Sequence, residues 1–107
     1  MKKEIVFIFL ILGLIMVSGI SCQDKAKILE SACRQACYQA LNEGKDLSEG
    51  PCLLDPMPED NNWVCDIAHD PRQPVDNEMQ NQCDAWNNGT AKHFIELTPE
   101  CEFIAAY

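Results

Sequence analysis

The chain has 107 residues, of which 47% are hydrophobic, and a formal net charge of −9 at pH 7. This length fits one small domain. The acidity excludes nucleic-acid binding and electrostatic docking on anionic lipid, because both require a basic surface. It leaves open the attraction of a cation or a basic partner, and it favours solubility outside the cell.

The N-terminus has the three parts of a secretory signal. Two lysines precede an apolar run from Ile5 to Val17, and small residues follow. A spanning helix needs about 20 apolar residues, so the run is short for a permanent anchor. We predict that residues 1–21 are a secretory signal peptide, with an uncleaved N-terminal membrane anchor as the alternative. Residues 22–107 are then a single small cysteine-rich extracytoplasmic domain.

Cys22 is the odd member of a set of seven cysteines. Without it the remaining cysteines are even in number and can all pair within one chain. Cleavage after Ser21 would make Cys22 the first residue, as in lipoproteins, although Gly19 stands where such signals have leucine. Cleavage after Gly19 competes with it. Cys22 is therefore a candidate lipidation site, and a free thiol or a bond to a partner are the alternatives.

The other cysteines predict a disulfide framework. Small extracytoplasmic domains bury too little surface to be stable without cross-links, and their export permits oxidation. The six residues expected to pair are Cys33, Cys37, Cys52, Cys65, Cys83 and Cys101.

The segment from Asp24 to Gly44 is predicted to be one long α-helix. It has no proline, its interior has no glycine, and its apolar residues recur at steps of three and four. Cys33 and Cys37 share the apolar face. Their Cβ atoms would be about 5–6 Å apart, whereas a disulfide needs about 3.8 Å. The two cysteines should therefore bond elsewhere and attach the helix to the elements beneath it.

Residues 45–74 have the prolines and polar clusters of a loop region. Within it, the alternation in residues 63–68 predicts a short strand that carries Cys65. Asp76 is expected to cap a second, short helix that runs through Trp86.

The C-terminal part predicts an antiparallel hairpin of His93–Leu97 and Cys101–Ala105, joined by three residues. The expected fold class is α+β: a small disulfide-stabilised domain with a long N-terminal helix packed on a short antiparallel sheet, a second short helix and a Pro-rich loop region. Cys65 and Cys101 would then lie on strands under the helix. We expect these two to bond Cys33 and Cys37, and Cys52 to bond Cys83.

No metal site or cofactor is expected. One stretch gathers acids and a histidine, but it lacks the spacing of a calcium loop. The residues of this stretch are Asp66, His69, Asp70, Asp76 and Glu78. A zinc site of Cys33 and Cys37 with His69 or His93 is not expected either, because structural zinc sites usually have tightly spaced cysteine pairs and only one pair here is close.

Catalytic residues are not expected either. His69 and His93 are the only histidines, and Ser31 and Ser48 lie in no recognisable nucleophile motif. So acidic a chain leaves open the two carboxylates of a glycosidase, but no pair stands out in the sequence.

Two surface features remain. Asn88 begins the triplet Asn-Gly-Thr on a predicted turn and is a candidate N-glycosylation site in an exported protein. Trp63, Trp86 and Tyr107 are either core residues or part of a binding face, because aromatic residues dominate binding hot spots.

These features predict an exported, disulfide-stabilised acidic protein without catalysis, secreted or held on the extracytoplasmic face of the membrane. It would bind an unknown protein or surface partner and no nucleic acid, and would touch the membrane only through its N-terminal segment or a lipid on Cys22. One alternative is a secreted protease inhibitor or toxin-like effector that presents residues 51–58 as an exposed loop. Another is a small secreted enzyme.

Overall fold

The computed structural model describes residues 22–107, and the predicted signal peptide with its cleavage sites lies outside these residues. One long helix packs on a four-stranded sheet, so the predicted α+β class is confirmed. The elements in chain order are α1 (Cys22–Asn42), β1 (Cys52–Leu54), β2 (Trp63–Ile67), 3₁₀ helices at Pro74–Asn77 and Met79–Asn81, α2 (Asp84–Asn87), β3 (His93–Leu97) and β4 (Phe103–Ala106).

Helix α1 forms where the sequence predicts it, and it begins two residues before Asp24. Strong helix formers occupy most of its positions, and proline and glycine are missing from it. Its buried residues recur at steps of four and three, which gives one stripe toward the sheet. They are Leu29, Cys33, Cys37 and Ala40.

The C-terminus of α1 is closed by Gly44, as expected. The N–H of Gly44 donates to the carbonyl of Leu41 at 3.0 Å, and the N–H of Lys45 donates to that of Ala40 at 3.0 Å. This is the Schellman arrangement, and it requires a left-handed residue. Gly44 supplies it with a φ of +79°.

The main core lies between α1 and the sheet, and two disulfides cross it. Cys33 bonds Cys65 on β2, and Cys37 bonds Cys101. The helix is thus attached at two points one turn apart. The cross-links close sequence separations of 32 and 64 residues. Removing a native disulfide from a small exported domain typically costs about 2–5 kcal/mol.

The sheet has the order β1-β2-β3-β4 and is mixed, so the expected antiparallel sheet is only partly right. β1 pairs antiparallel with β2, and β3 pairs antiparallel with β4. The two central strands, β2 and β3, are parallel. Parallel strands need a long crossover, and the segment between Ile67 and His93 provides it.

The third disulfide lies on the other face of the sheet. Cys52 on β1 bonds Cys83 beside α2, across 31 residues. A second, smaller core surrounds it, with Val64, Ala85 and Ala91 buried and Phe94 packed against them.

Three details differ from the sequence-based expectations. β1 is a strand of three residues inside the predicted loop region; an edge strand of this length has no periodicity to detect. β4 begins at Phe103, because the preceding turn holds Cys101 at a φ of +70° with its side chain directed to Cys37. Cys101 therefore lies in the turn and not on a strand.

The predicted second short helix is present as the single turn Asp84–Asn87, and its predicted span from Asp76 to Trp86 is wrong. Cys83, which is bonded to Cys52, has extended backbone angles and interrupts any helical run. Only the last turn, α2, is α-helical. Its first two N–H groups, on Asp84 and Ala85, donate to the carboxylate of Asp55 at 2.8 and 2.9 Å.

None of the helices within residues 22–107 is long and apolar enough to cross a membrane.

We predict that Gly50→Ala destabilises the domain much more than Gly44→Ala. Both glycines have a positive φ, of +71° and +79°, which alone costs a non-glycine residue about 1–2 kcal/mol. At Gly50 an added Cβ would also stand 2.5 Å from Oδ1 of buried Asp76 and 3.0 Å from the carbonyl oxygen of Ile67, whereas nothing lies within 4 Å at Gly44.

The measurement is urea unfolding of both variants with the disulfides intact. Gly44→Ala should lose about 1 kcal/mol, and Gly50→Ala at least about 2 kcal/mol more, as expected for forced overpacking. Equal losses would contradict the close packing of Gly50 against Asp76.

Candidate functional site

A pocket opens on the face of the sheet opposite α1, and we call it the sheet pocket. Its volume is about 250 Å³. Its apolar wall consists of Val64, Cys83, Trp86 and Phe94, and its polar wall consists of Asp66, Arg72, Gln82 and Glu96. The parallel register explains why strand residues from both walls meet there. Val64 lies opposite Phe94 and Asp66 opposite Glu96, on neighbouring strands and on the same face.

The polar wall contains two carboxyl groups and one guanidinium. Arg72 donates from Nη1 to Oε2 of Glu96 at 2.8 Å. It is held in place from behind, since its Nε donates to Oδ1 of Asn77 at 2.8 Å. The backbone N–H of Ile67 donates to Oδ1 of Asp66 at 3.0 Å. The guanidinium therefore pairs with Glu96, and within residues 22–107 no salt bridge joins a cationic side chain to Asp66.

The protonation of Asp66 follows from this arrangement. Its burial, together with the nearby charge of Glu96, raises the pKa of Asp66 to about 8, although the hydrogen bond from Ile67 and the charge of Arg72 act in the opposite direction. At pH 7 the Asp66 carboxyl consequently keeps its proton. It can then donate a hydrogen bond as well as accept one.

The apolar wall continues into a cluster of three aromatic rings. Trp86 contacts Phe94 edge-to-face, with ring centroids 5.0 Å apart, and Tyr107 stacks on Phe94 at 5.7 Å. Trp86 is 37% exposed and Tyr107 is 70% exposed. Of the three aromatic residues singled out in the sequence, Trp86 lines the sheet pocket, and Tyr107 lies beyond it in the same ring cluster.

The loop that carries Arg72 is fixed by Asp76, whose side chain is fully buried. Oδ2 of Asp76 accepts from the N–H groups of His69 and Gln73, at 3.0 and 2.8 Å, and Oδ1 contacts Nδ1 of His69 at 2.9 Å. Burial opposes ionisation of Asp76, but these hydrogen bonds outweigh it and lower the pKa below its usual value. Asp76 is therefore a structural carboxylate that orders the turn beside the pocket.

The acid-rich stretch noted in the sequence is thus divided among several roles. Asp66 lines the pocket and Asp76 pairs with His69, while Asp70 is exposed. The carboxylate of Glu78 accepts from Gln80 at 2.8 Å. Within the part of the chain that the structure describes, no group of three or more histidine, cysteine, aspartate or glutamate side chains is placed to hold a metal ion.

The other sequence-derived site residues lie apart from the pocket. Trp63 lies on the α1 side of the sheet and stacks on His93, with ring centroids 4.7 Å apart. Nδ1 of His93 contacts the carbonyl of Tyr107 at 2.9 Å. Ser31 and Ser48 are exposed on α1 and on the following turn.

Asn88 lies in an exposed turn after α2. Its Oδ1 accepts from the N–H of Thr90 at 3.0 Å and from the hydroxyl of Thr90 at 2.7 Å. The acceptor triplet is therefore on the surface and internally ordered.

The predicted inhibitory loop, residues 51–58, is not a free loop. Cys52–Leu54 forms the edge strand β1, and Leu53 and Leu54 are half-buried against the main core. Met57 is only 1% exposed.

Sequence reasoning missed the roles of Arg72, Phe94 and Glu96. The alternation within His93–Leu97 does place Phe94 and Glu96 on one face. What the sequence does not show is that β2 and β3 are parallel neighbours, which alone brings Glu96 beside Asp66.

Comparison with protein-family models, with curated proteins and with solved structures gives no match to this chain.

We predict that Asp66→Asn raises stability at alkaline pH. The pKa of Asp66 is about 8 in the folded state against an ordinary value of 3.8. Between these values the folded state binds more protons than the unfolded state, so stability falls as pH rises. This contribution is complete below pH 4 and is lost as pH approaches 8. Asparagine does not ionise and keeps an acceptor for the N–H of Ile67.

Urea unfolding at pH 5, 7 and 9 measures the difference. The advantage of Asp66→Asn should grow with pH and reach on the order of 2 kcal/mol or more at pH 9, since one pKa unit is worth about 1.4 kcal/mol. Glu102→Gln, at an exposed position away from the pocket, also replaces one carboxyl group by an amide and should show no such trend. Parallel pH profiles for the two variants would contradict the burial of Asp66.

Proposed function

We propose that the protein is exported and acts outside the cytoplasm as a non-catalytic binding domain whose ligand site is the sheet pocket. The observation that carries this proposal is the composition of that pocket. The rings of Trp86 and Phe94 and two carboxyl groups converge on a concave surface, although burying carboxyl groups is unfavourable for folding. Concave apolar sites with a few convergent polar groups are the usual form of small-ligand sites.

The three disulfides support an oxidising, extracytoplasmic location, because such cross-links are rare in the cytosol. The leader sequence supports export by the secretory route, followed by release or by attachment through the leader or a lipid on Cys22. The acidic surface suits a soluble exported protein, and it favours a basic partner over an acidic one.

A small secreted enzyme is the second candidate, and the carboxyl pair favours it. Glycoside hydrolysis uses one carboxylic acid with a raised pKa and a second, ionised carboxylate. Asp66, whose pKa is raised to about 8, lies beside a second carboxyl group, that of Glu96. Against catalysis, Glu96 is paired with Arg72, and the pocket of about 250 Å³ is below the usual size of ligand clefts, about 300–1,000 Å³. Residues 51–58 form an edge strand and a partly buried turn, so they do not present the exposed loop on which the inhibitor alternative relied.

The binding function is tested by NMR with a library of fragments that includes neutral, cationic and anionic members. Bound fragments should shift the amide signals of residues 64–66 and 94–96 and the indole N–H of Trp86. Trp86→Ala should abolish these shifts, because it removes the exposed ring of the apolar wall. Tyr38→Ala, at a 51% exposed ring on α1, is the matched control and should leave binding unchanged.

Fragments that bind only elsewhere, or that bind Trp86→Ala equally well, would overturn the assignment of the pocket. Cleavage of glycoside substrates that is lost in both Asp66→Asn and Glu96→Gln would favour the enzyme instead.

Export is tested by the intact mass of the protein recovered from outside the producing cells. We expect a chain shortened at its N-terminus by about 20 residues, as for a typical signal peptide. Alkylation should modify the six cysteines of the three disulfides only after reduction. Extra mass from acyl chains would assign lipid to Cys22, and sugar mass lost on enzymatic deglycosylation would assign a glycan to Asn88. A full-length, fully reduced chain would contradict export.

A further inference from the structure

The polar wall of the sheet pocket has more carboxyl groups than cationic side chains. It has two carboxyl groups, on Asp66 and Glu96, and the single guanidinium of Arg72. That guanidinium is committed to Glu96 at 2.8 Å and is restrained by Asn77. Within the described residues, Asp66 has only the backbone N–H of Ile67 as a hydrogen-bond donor partner.

The apolar wall adds a second feature that suits a cation. The rings of Trp86 and Phe94, which meet edge-to-face with centroids 5.0 Å apart, line the pocket together with the carboxyl groups. Aromatic faces attract ammonium and guanidinium groups, the more so when these are partly desolvated. The net charge of −9 for the whole chain adds a long-range attraction for cations.

The pocket is suited to an organic cation more than to a metal ion. Only two carboxyl groups face it, Arg72 stands beside them, and one wall is hydrocarbon. Hard metal ions in proteins require more oxygen ligands than this. A volume of about 250 Å³ suits one small amine or a single side chain.

We propose that the sheet pocket binds a primary ammonium group carried on a short apolar chain, with the ammonium at Asp66 and the chain against Trp86 and Phe94. This inference rests on the proposed function and names its ligand class. The ammonium comes either from a free amine or from a lysine side chain of a partner protein. In both cases the ammonium group places a positive charge directly at Asp66, whereas Arg72 is paired with Glu96.

Binding of this kind must displace a proton. The charged groups that face Asp66 are Glu96 on β3, Arg72 on the crossover and Asp76 behind it. Because the pKa of Asp66 is about 8 in their presence, an ammonium ligand exchanges with the carboxyl proton at neutral pH. As pH increases toward 8, affinity should therefore rise by up to about tenfold per pH unit, and above pH 8 it should level off.

The test compares n-butylamine with the isosteric neutral probe 1-butanol and the anionic probe butyrate, by NMR titration at pH 6, 7, 8 and 9. Butylamine should bind best, and its affinity should increase at least about tenfold from pH 6 to 8. Asp66→Asn should remove both the preference and the pH dependence, and Glu102→Gln should retain both. Nα-acetyl-lysine amide, which keeps its ε-ammonium, and a lysine-containing peptide are titrated in the same way. These two probes distinguish a lysine side chain of a protein partner from a free amine.

The outcomes separate the two proposals. If 1-butanol binds the pocket as well as butylamine does, the ammonium inference is overturned while the pocket remains a binding site. If the probes perturb only signals outside residues 64–66, 94–96 and Trp86, or bind nowhere, both are overturned. A preference for butylamine that persists in Asp66→Asn would assign the cation to another carboxylate and would also overturn the inference.

Discussion

The fold depends on the two disulfides that cross from one face of α1 to the elements beneath it. Cys33 and Cys37 are one turn apart, and their partners, Cys65 and Cys101, belong to β2 and to the turn before β4. The two bonds therefore fix both the rotation and the position of the helix over the sheet. In a chain of this size the remaining apolar contacts of this core would by themselves give marginal stability.

With the helix occupying one face of the sheet, the other face is free to carry polar chemistry. The alternation of side chains along β2 sends Cys65 and Ile67 to the core, and it sends Val64 and Asp66 to the opposite side. β3 repeats the pattern in register. The same backbone arrangement that buries the core thereby places Asp66 beside Glu96. A shift of the register by one residue would exchange the two faces and lose both the core and the pocket.

Much of this could be predicted from local pattern, and the remainder depends on contacts distant in sequence. The helix, β2 and the C-terminal hairpin have clear periodicity, and the spacing of Cys33 and Cys37 excludes a bond between them. The parallel pairing of β2 with β3 has no local signal. No α-helix starts at Asp76, although the sequence predicts one there. The carboxylate of Asp76 instead accepts hydrogen bonds from the N–H groups of His69 and Gln73 in the preceding loop. Arg72 reaches Glu96 across 24 residues.

The crossover between β2 and β3 has a consequence for how ligand preference can change. It supplies Arg72, Gln82 and Trp86 to the pocket, while the acid pair comes from the strands. Its attachments to the rest of the domain include the bond from Cys83 to Cys52 and the cap that Asp55 provides to α2. Replacement of the intervening residues would change part of both walls and leave the strand residues Val64, Asp66, Phe94 and Glu96 in place. The crossover is therefore the natural segment to randomise when new specificities are selected around a fixed acid pair.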